Sequence, residues 1–380
     1  RAFCILALLA GCVAPPAFDY RVPPQPEGPS GWVDKPGWAS TLFAVAAANP
    51  LATDAGYQVL KAGGSAIDAA VAVQMVLTLV EPQSSGIGGG AFILHADGAR
   101  LDAYDGRETA PAAADERLFL KRDGQAMAFA EAVVGGRSVG VPGTLRVLEA
   151  AHRQHGRLPW AVLFGPAIRL ADQGFRVSPR LHVALASDTR LRDTPNAAAF
   201  YYDAQGRPWP AGHVLKNPAL ASVLRRLAAE GVDAFYRGPI AADLVHRVRG
   251  HGTNPGVISE ADLSRYQAKT RAAICTDWKT AYRVCGFPPP SSGHLAVMQL
   301  LKLVDLAPPP ACTLADGVPA AEFLHVYTEA ARLAFADRAQ FVGDPDFVSP
   351  PAGDWRRLLD DDYLRARARL IGERSMRTAA

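Results

Sequence analysis

The run Gly86-Ile87-Gly88-Gly89-Gly90-Ala91 fits the glycine pattern that cradles a dinucleotide pyrophosphate. That chemistry needs a strand before the glycines and a helix after them, so that amides at the helix start aim at the phosphates. Here the order is reversed, because an apolar helical stretch precedes and a strand-like stretch follows. No acidic partner stands at the right position at the end of a second strand. The glycines therefore read as a tight loop where backbone passes close to backbone or substrate. The sequence has no G-K-[ST] phosphate loop, no GxSxG elbow, no CxxC pair and no HExxH pair among its nine histidines, so neither a metal nor a cofactor is expected. Asp360-Asp361-Asp362 invites a metal reading, yet Arg356, Arg357 and Arg365 surround it, as on a solvated, salt-bridged helix face. The pairs His152/His155 and His246/His251 fall near expected helix ends and are assigned no chemistry. Arg107 follows a Gly106 turn, where a planar guanidinium can grip a carboxylate with two parallel hydrogen bonds. Spacing alone favours the plainer reading, an ion pair with Glu108.

These residues need elements to position them. Asn49-Pro50 caps a helix whose face is Leu51, Ala55, Val59 and Leu60, ending at Gly63-Gly64. Ser65 caps Ala66 to Val80, apolar on nearly all sides and so expected in the interior. After the glycine loop, Ala91 to Ala96 and Arg100 to Tyr104 read as strands around an Asp97-Gly98 turn. Further helices are expected over Pro142 to His155, Trp160 to Gln173, Pro218 to Glu230, Ile240 to Arg249, Leu295 to Leu306, Ala320 to Phe341 and Trp355 to Leu370. The remaining strand candidate is Ile274 to Gly286, which makes the fold class α+β, helix-rich with a modest sheet.

Composition agrees with an enzyme-sized globular chain: 380 residues, 49% hydrophobic and 20% charged, enough for one large core or two ordinary ones. Forty basic against 37 acidic side chains leave a net charge of +3, spread along the chain, so nucleic acid is not an expected partner. The apolar stretch Ala2 to Val13 is too short to span a bilayer and reads as a signal-peptide core. The chain opens on Arg1, so this signal is incomplete. Leu9-Ala10-Gly11-Cys12 looks like a lipobox, with Cys12 lipidated, in preference to an ordinary secretory signal holding an incidental cysteine. The expected organisation is a lipoprotein-type signal over 1–11, a Pro- and Gly-rich tether over 12–37 and a folded region over 38–380 outside the cytoplasm. Disulfides persist there. Cys275 and Cys285 could meet across a hairpin, Cys312 is a competing partner, and three reduced, buried thiols are the remaining alternative.

The stretch Phe43 to Ala72, with Asn49-Pro50-Leu51-Ala52-Thr53 and Lys61-Ala62-Gly63-Gly64-Ser65-Ala66-Ile67-Asp68-Ala69-Ala70, closely resembles the opening of γ-glutamyltranspeptidases, also called glutathione hydrolases. Matching stretches follow in the same order: Gly86 to Phe92, Asp105-Gly106-Arg107-Glu108-Thr109-Ala110-Pro111, Ser138 to Gly143, Pro288 to Gly293, and Ala336-Asp337-Arg338 through Val348. The resemblance runs from about Trp38 to Pro350 and implies an N-terminal-nucleophile hydrolase, an αββα sandwich whose precursor cuts itself into two subunits. It implies that a threonine opening the small subunit attacks the γ-glutamyl amide, with its own α-amine as base. It implies further that Arg107 binds the α-carboxylate of the glutamyl group, and that the small subunit is the partner of this chain.

The Thr-Thr-His type stretch that marks the cleavage point is not in this sequence, and Thr378 does not carry its motif. The chain is therefore expected to be the large-subunit part, with no catalytic residue of its own. His294 after Ser292-Gly293 departs from the family's more usual second glycine, which puts that loop's geometry in question. Two other readings remain: a cephalosporin or glutaryl acylase of the same fold, and an inactive lipoprotein that serves only to bind.

Overall fold

Helix starts are written into the local sequence. In the computed structural model, which describes residues 20–21, 39–98 and 100–379, Asn49 accepts a hydrogen bond from the Leu51 N–H at 3.0 Å and opens α1, Pro50–Lys61. Ser65 opens α2, Ala66–Val80, through a reciprocal cap: its hydroxyl accepts the Asp68 N–H at 3.1 Å, and the Asp68 carboxylate accepts the Ser65 N–H at 2.8 Å. The described chain falls into two compact units. One combines the part up to Ala91 with Gly106–Ala268, and the other holds Phe92–Asp105 and Lys269–Ala380.

The first unit is built around α2. Val71, Ala72, Met75 and Val76 are wholly buried, the valines and the methionine each contributing about 1.5–3 kcal/mol on leaving water. Against α2 pack α1, α3 (Thr144–His155) and α4 (Gly165–Gln173), with α5 (Pro218–Glu230) behind α4. Gly56 lets α1 approach closely, since a Cβ there would sit 2.7 Å from the Val73 side chain. Asp68 does more than cap: its carboxylate also accepts the N–H groups of Arg157 and Leu158 at 2.9 and 3.0 Å, pinning the chain that leaves α3. His152 Nε2 lies 2.9 Å from the Leu158 carbonyl and 3.4 Å from Asp68 Oδ1.

The second unit carries a three-stranded sheet in the order β1 (Ala91–Ala96), β2 (Leu101–Gly106), β3 (Lys269–Ala272). β2 and β3 run antiparallel, with Asp102 opposite Ala272 and Asp105 opposite Lys269. The guanidinium of Arg271 bridges Asp105 at 2.6 Å and Asp346 at 2.9 Å, and together with Lys269 it holds the Asp346 carboxyl down at about 2. The hairpin β4 (Ile274–Trp278) and β5 (Tyr282–Gly286) places Cys275 opposite Cys285, and a disulfide joins them. Cys312 is free and exposed, its thiol directed at the Leu314 carbonyl, so the three cysteines are not all reduced and buried. Helices α6 (Gly293–Leu306), α7 (Ala321–Phe341) and α8 (Asp361–Ala368) close two small cores, one around Leu303, Leu333 and Leu364, the other around Leu295, Met298 and Leu358.

Several boundaries differ from expectation. The helix expected from Pro142 begins at Thr144. Trp160 to Gln173 divides into a 3-10 segment, Trp160–Phe164, and α4. Trp355 to Leu370 breaks at Asp360, whose extended backbone separates a 3-10 turn from α8. Helices Pro179–Ser187 and Pro195–Tyr201 and strand β3 were not anticipated. Within the stretch expected to be a tether, Tyr20 is buried and Arg21 exchanges two hydrogen bonds with Gln58, at 3.0 and 2.7 Å. The signal segment, Cys12 and most of that tether lie outside the described residues.

Candidate anion-binding cleft

Three glycine-rich segments of the first unit converge on one place. The Gly89 carbonyl accepts the N–H groups of Gly143 and Thr144 at 2.9 and 3.1 Å, so the start of α3, which has no side-chain cap, is capped by the glycine loop itself. Gly143 lies so close to the Gly106 carbonyl and the Tyr266 hydroxyl that a Cβ would overlap both. At Gly90 a Cβ would stand 2.6 Å from the Gly106 carbonyl and from a Glu108 carboxylate oxygen. This is the close backbone passage read from the glycines, and it explains why side chains are excluded.

Arg107 emerges from this knot. Its carbonyl accepts the Tyr266 hydroxyl at 2.7 Å, fixing the backbone. Its guanidinium Nε lies 3.6 Å from Glu108, and its side chain is 65% exposed. Two residues on, Thr109 and Val141 exchange backbone hydrogen bonds, at 3.3 and 2.8 Å, tying the segment to the approach of α3. The Ala112 N–H donates to Asp262 at 3.0 Å. Burial raises the Asp262 carboxyl, but hydrogen bonds from Ser259 and Ala112 outweigh it and leave the group below the usual carboxylate range.

A cleft of about 550 Å³ opens beside these residues, lined by Gly88, Arg107, Glu108, Leu118, Arg137 and Ser138 among others. Two guanidinium groups and one carboxylate are the charged groups of its lining. The Ser138 hydroxyl donates to the Val133 carbonyl at 2.8 Å and so stiffens its own turn. The cleft thus joins the Arg107 of the sequence reading to Arg137, which that reading missed. Only the Gly135-Gly136 pair before it hinted at an unusual backbone. The acidic run Asp360 to Asp362 is exposed and paired with Arg357, Lys302 and Arg365.

A family model described as gamma-glutamyltranspeptidase matches residues 52–380. The chain is 39% identical to the glutathione hydrolase proenzyme of Bacillus subtilis (strain 168) over 330 residues, 86% of this chain and 54% of that protein. It is 33% identical to the Escherichia coli K12 glutathione hydrolase proenzyme over 378 residues, 96% of this chain and 61% of that protein. The chain thus spans little more than half the length of these curated relatives. The solved structure of Helicobacter pylori gamma-glutamyltranspeptidase superposes with a TM-score of 0.80 at 30% identity, covering 89% of this chain and 94% of that one. The cephalosporin acylase from Bacillus halodurans gives 0.72 at 29% identity, covering 91% and 63%.

Proposed function

Because the chain belongs to the gamma-glutamyltranspeptidase family and shares its N-terminal-nucleophile hydrolase fold, we propose that it is the large subunit of a γ-glutamyltransferase or glutathione hydrolase. The observation that carries this reading is Arg107, whose backbone is held by Tyr266 and whose side chain lines the cleft beside Glu108. Two parallel N–H donors select a free α-carboxylate, which a γ-linked glutamyl group has and an α-linked one inside a peptide lacks. With the glutamyl group so held, the hydroxyl of a threonine from the small subunit attacks the γ-carbonyl carbon while its α-amine takes the proton. The C–N bond then breaks, the leaving amine takes up that proton, and a γ-glutamyl ester remains. Water or the amine of an amino acid or peptide resolves it. This chain contributes recognition, and its partner contributes the nucleophile.

The test is to express the complete gene, look for two chains on a denaturing gel, and assay release of a chromogenic amine from a γ-glutamyl anilide. A single uncut chain without turnover would reject the reading. The likeness to the cephalosporin acylase supports a second one, in which glutaryl amides are the donors. A glutaryl group keeps the terminal carboxylate that Arg107 would hold and lacks only the α-amine, so preference for γ-glutamyl over glutaryl anilide separates the two through recognition of that amine. Export with a lipid on Cys12 completes the reading, and Cys12→Ala should release the enzyme from membranes into the soluble periplasmic or secreted fraction.

Among the described residues no helix is long and apolar enough to cross a membrane. A lipid-anchored enzyme needs none.

A further inference from the structure

The cleft holds a second guanidinium. Arg137 donates from Nη1 to the Leu118 carbonyl at 2.8 Å, while its Nε is buried and meets no hydrogen-bond acceptor among the described residues. A guanidinium has five N–H donors, so one carbonyl leaves most of this cation's capacity unused. The carboxylate lining the cleft is Glu108, and it stands beside Arg107. Arg107 and Arg137 are the two cationic side chains among the cleft's lining.

Arg137 is also held firmly. Its N–H and that of Gly136 both donate to the Asn254 carbonyl, at 3.2 and 2.8 Å. The Asn254 side chain is buried and donates in turn to the carbonyls of Glu131 and Val134, at 3.0 and 2.8 Å. Gly135 has φ +116°, and Gly136 packs backbone to backbone on Val248 and Gly256, leaving no room for a Cβ. Such a backbone presents its side chain with little entropy left to lose on binding.

We propose that Arg137 is a specificity-determining residue that binds a second carboxylate of the donor, the one on the carbon next to the scissile nitrogen. The favoured donors are then γ-glutamyl amino acids. This rests on the assignment of Arg107 to the glutamyl α-carboxylate. The two carboxylates of an extended γ-glutamyl amino acid stand about 8 Å apart by bond lengths, a span that a cleft of about 550 Å³ can hold. In a γ-glutamyl dipeptide the free carboxylate lies one residue farther on, beyond that span.

The experiment compares three donors with the complete, two-chain enzyme: γ-glutamyl-glycine, γ-glutamyl-glycinamide and a γ-glutamyl anilide. The wild type should prefer the glycine acid over its amide by about tenfold in kcat/KM, mainly through KM, as a charge-assisted hydrogen bond requires. Raising the ionic strength should shrink that preference. Arg137→Gln should bring the ratio of acid to amide close to one, and Arg137→Lys should restore part of it. Arg107→Lys should instead depress both donors by the same factor. A wild-type ratio near one overturns the proposal, as does an unchanged ratio in Arg137→Gln or a parallel fall for acid and amide. The wild-type ratio and its salt dependence decide the matter even if the Arg137 variants do not fold. Turnover of the anilide alongside a flat ratio rejects Arg137 while sparing Arg107, whereas no turnover of any donor rejects both.

Discussion

Arginine and lysine carry the same charge, but only arginine offers a rigid fork, and that difference makes Arg107 testable at the scale of one residue. Arg107→Lys should lower kcat/KM for a γ-glutamyl anilide about 10- to 100-fold, the worth of one lost charge-assisted hydrogen bond, with thermal stability unchanged because the side chain is exposed. His152 allows a different test. The Asp68 carboxylate beside it and the Leu158 carbonyl overcome the effect of burial and hold its pKa above the usual 6.5. Protonated His152 therefore stabilises the fold fully below about pH 6.5, and the contribution fades as pH rises through the raised value. Asp68 is also buried, but hydrogen bonds from His152, Ser65, Arg157 and Leu158 keep it charged below its usual 3.8, so its share is lost only at more acid pH. The gap in urea midpoint between wild type and His152→Gln should be wider at pH 5.5 than at pH 8.5. Arg107 could be picked out from its motif. Arg137 could not, because what makes it notable is contributed by Asn254 and Gly256, more than a hundred positions away in sequence.

At the scale of elements, caps were legible and partners were not. Asn49-Pro50 and Ser65 announce α1 and α2 because the capping group is a local side chain. Ser65→Ala should cost about 1 kcal/mol of unfolding free energy, read as a lower urea midpoint. The start of α3 was misplaced by two residues because its cap is the Gly89 carbonyl, which no local pattern reveals. Strand β3, Lys-Thr-Arg-Ala, escaped notice because it lacks an apolar alternation and is specified instead by pairing with β2 and by Arg271 between Asp105 and Asp346. The division at Asp360 went unseen because the apolar spacing continues across it. The Cys275–Cys285 disulfide closes a short loop, so replacing both cysteines by serine should cost about 2–4 kcal/mol in the oxidised protein and nothing in the presence of reductant.

For the whole molecule, the fold class was legible because it depends on sequence order and apolar spacing, which are properties of the chain. What stayed hidden was the division into two units, since residues 92–105 join the distant segment 269–380. The second unit also leaves large apolar side chains open along α7, with Leu324 at 45%, Tyr327 at 42% and Phe335 at 58% exposure. Exposed apolar surface on this scale is what a partner subunit covers. The chain produced alone should therefore bind a hydrophobic dye strongly, and co-production with the proposed small subunit should suppress that fluorescence.

The contact of Gly136 with Gly256 bears on how freely this protein can change. Two backbones touching without side chains form a joint with no spare volume at either position, so neither mutation can compensate for the other. A saturation library sorted merely for folded product should return both codons as glycine, while Gly212, with φ +87° and open space around it, should tolerate asparagine. The orientation of Arg137 would then be inherited as a by-product of selection for folding, available to whatever anion the cleft meets.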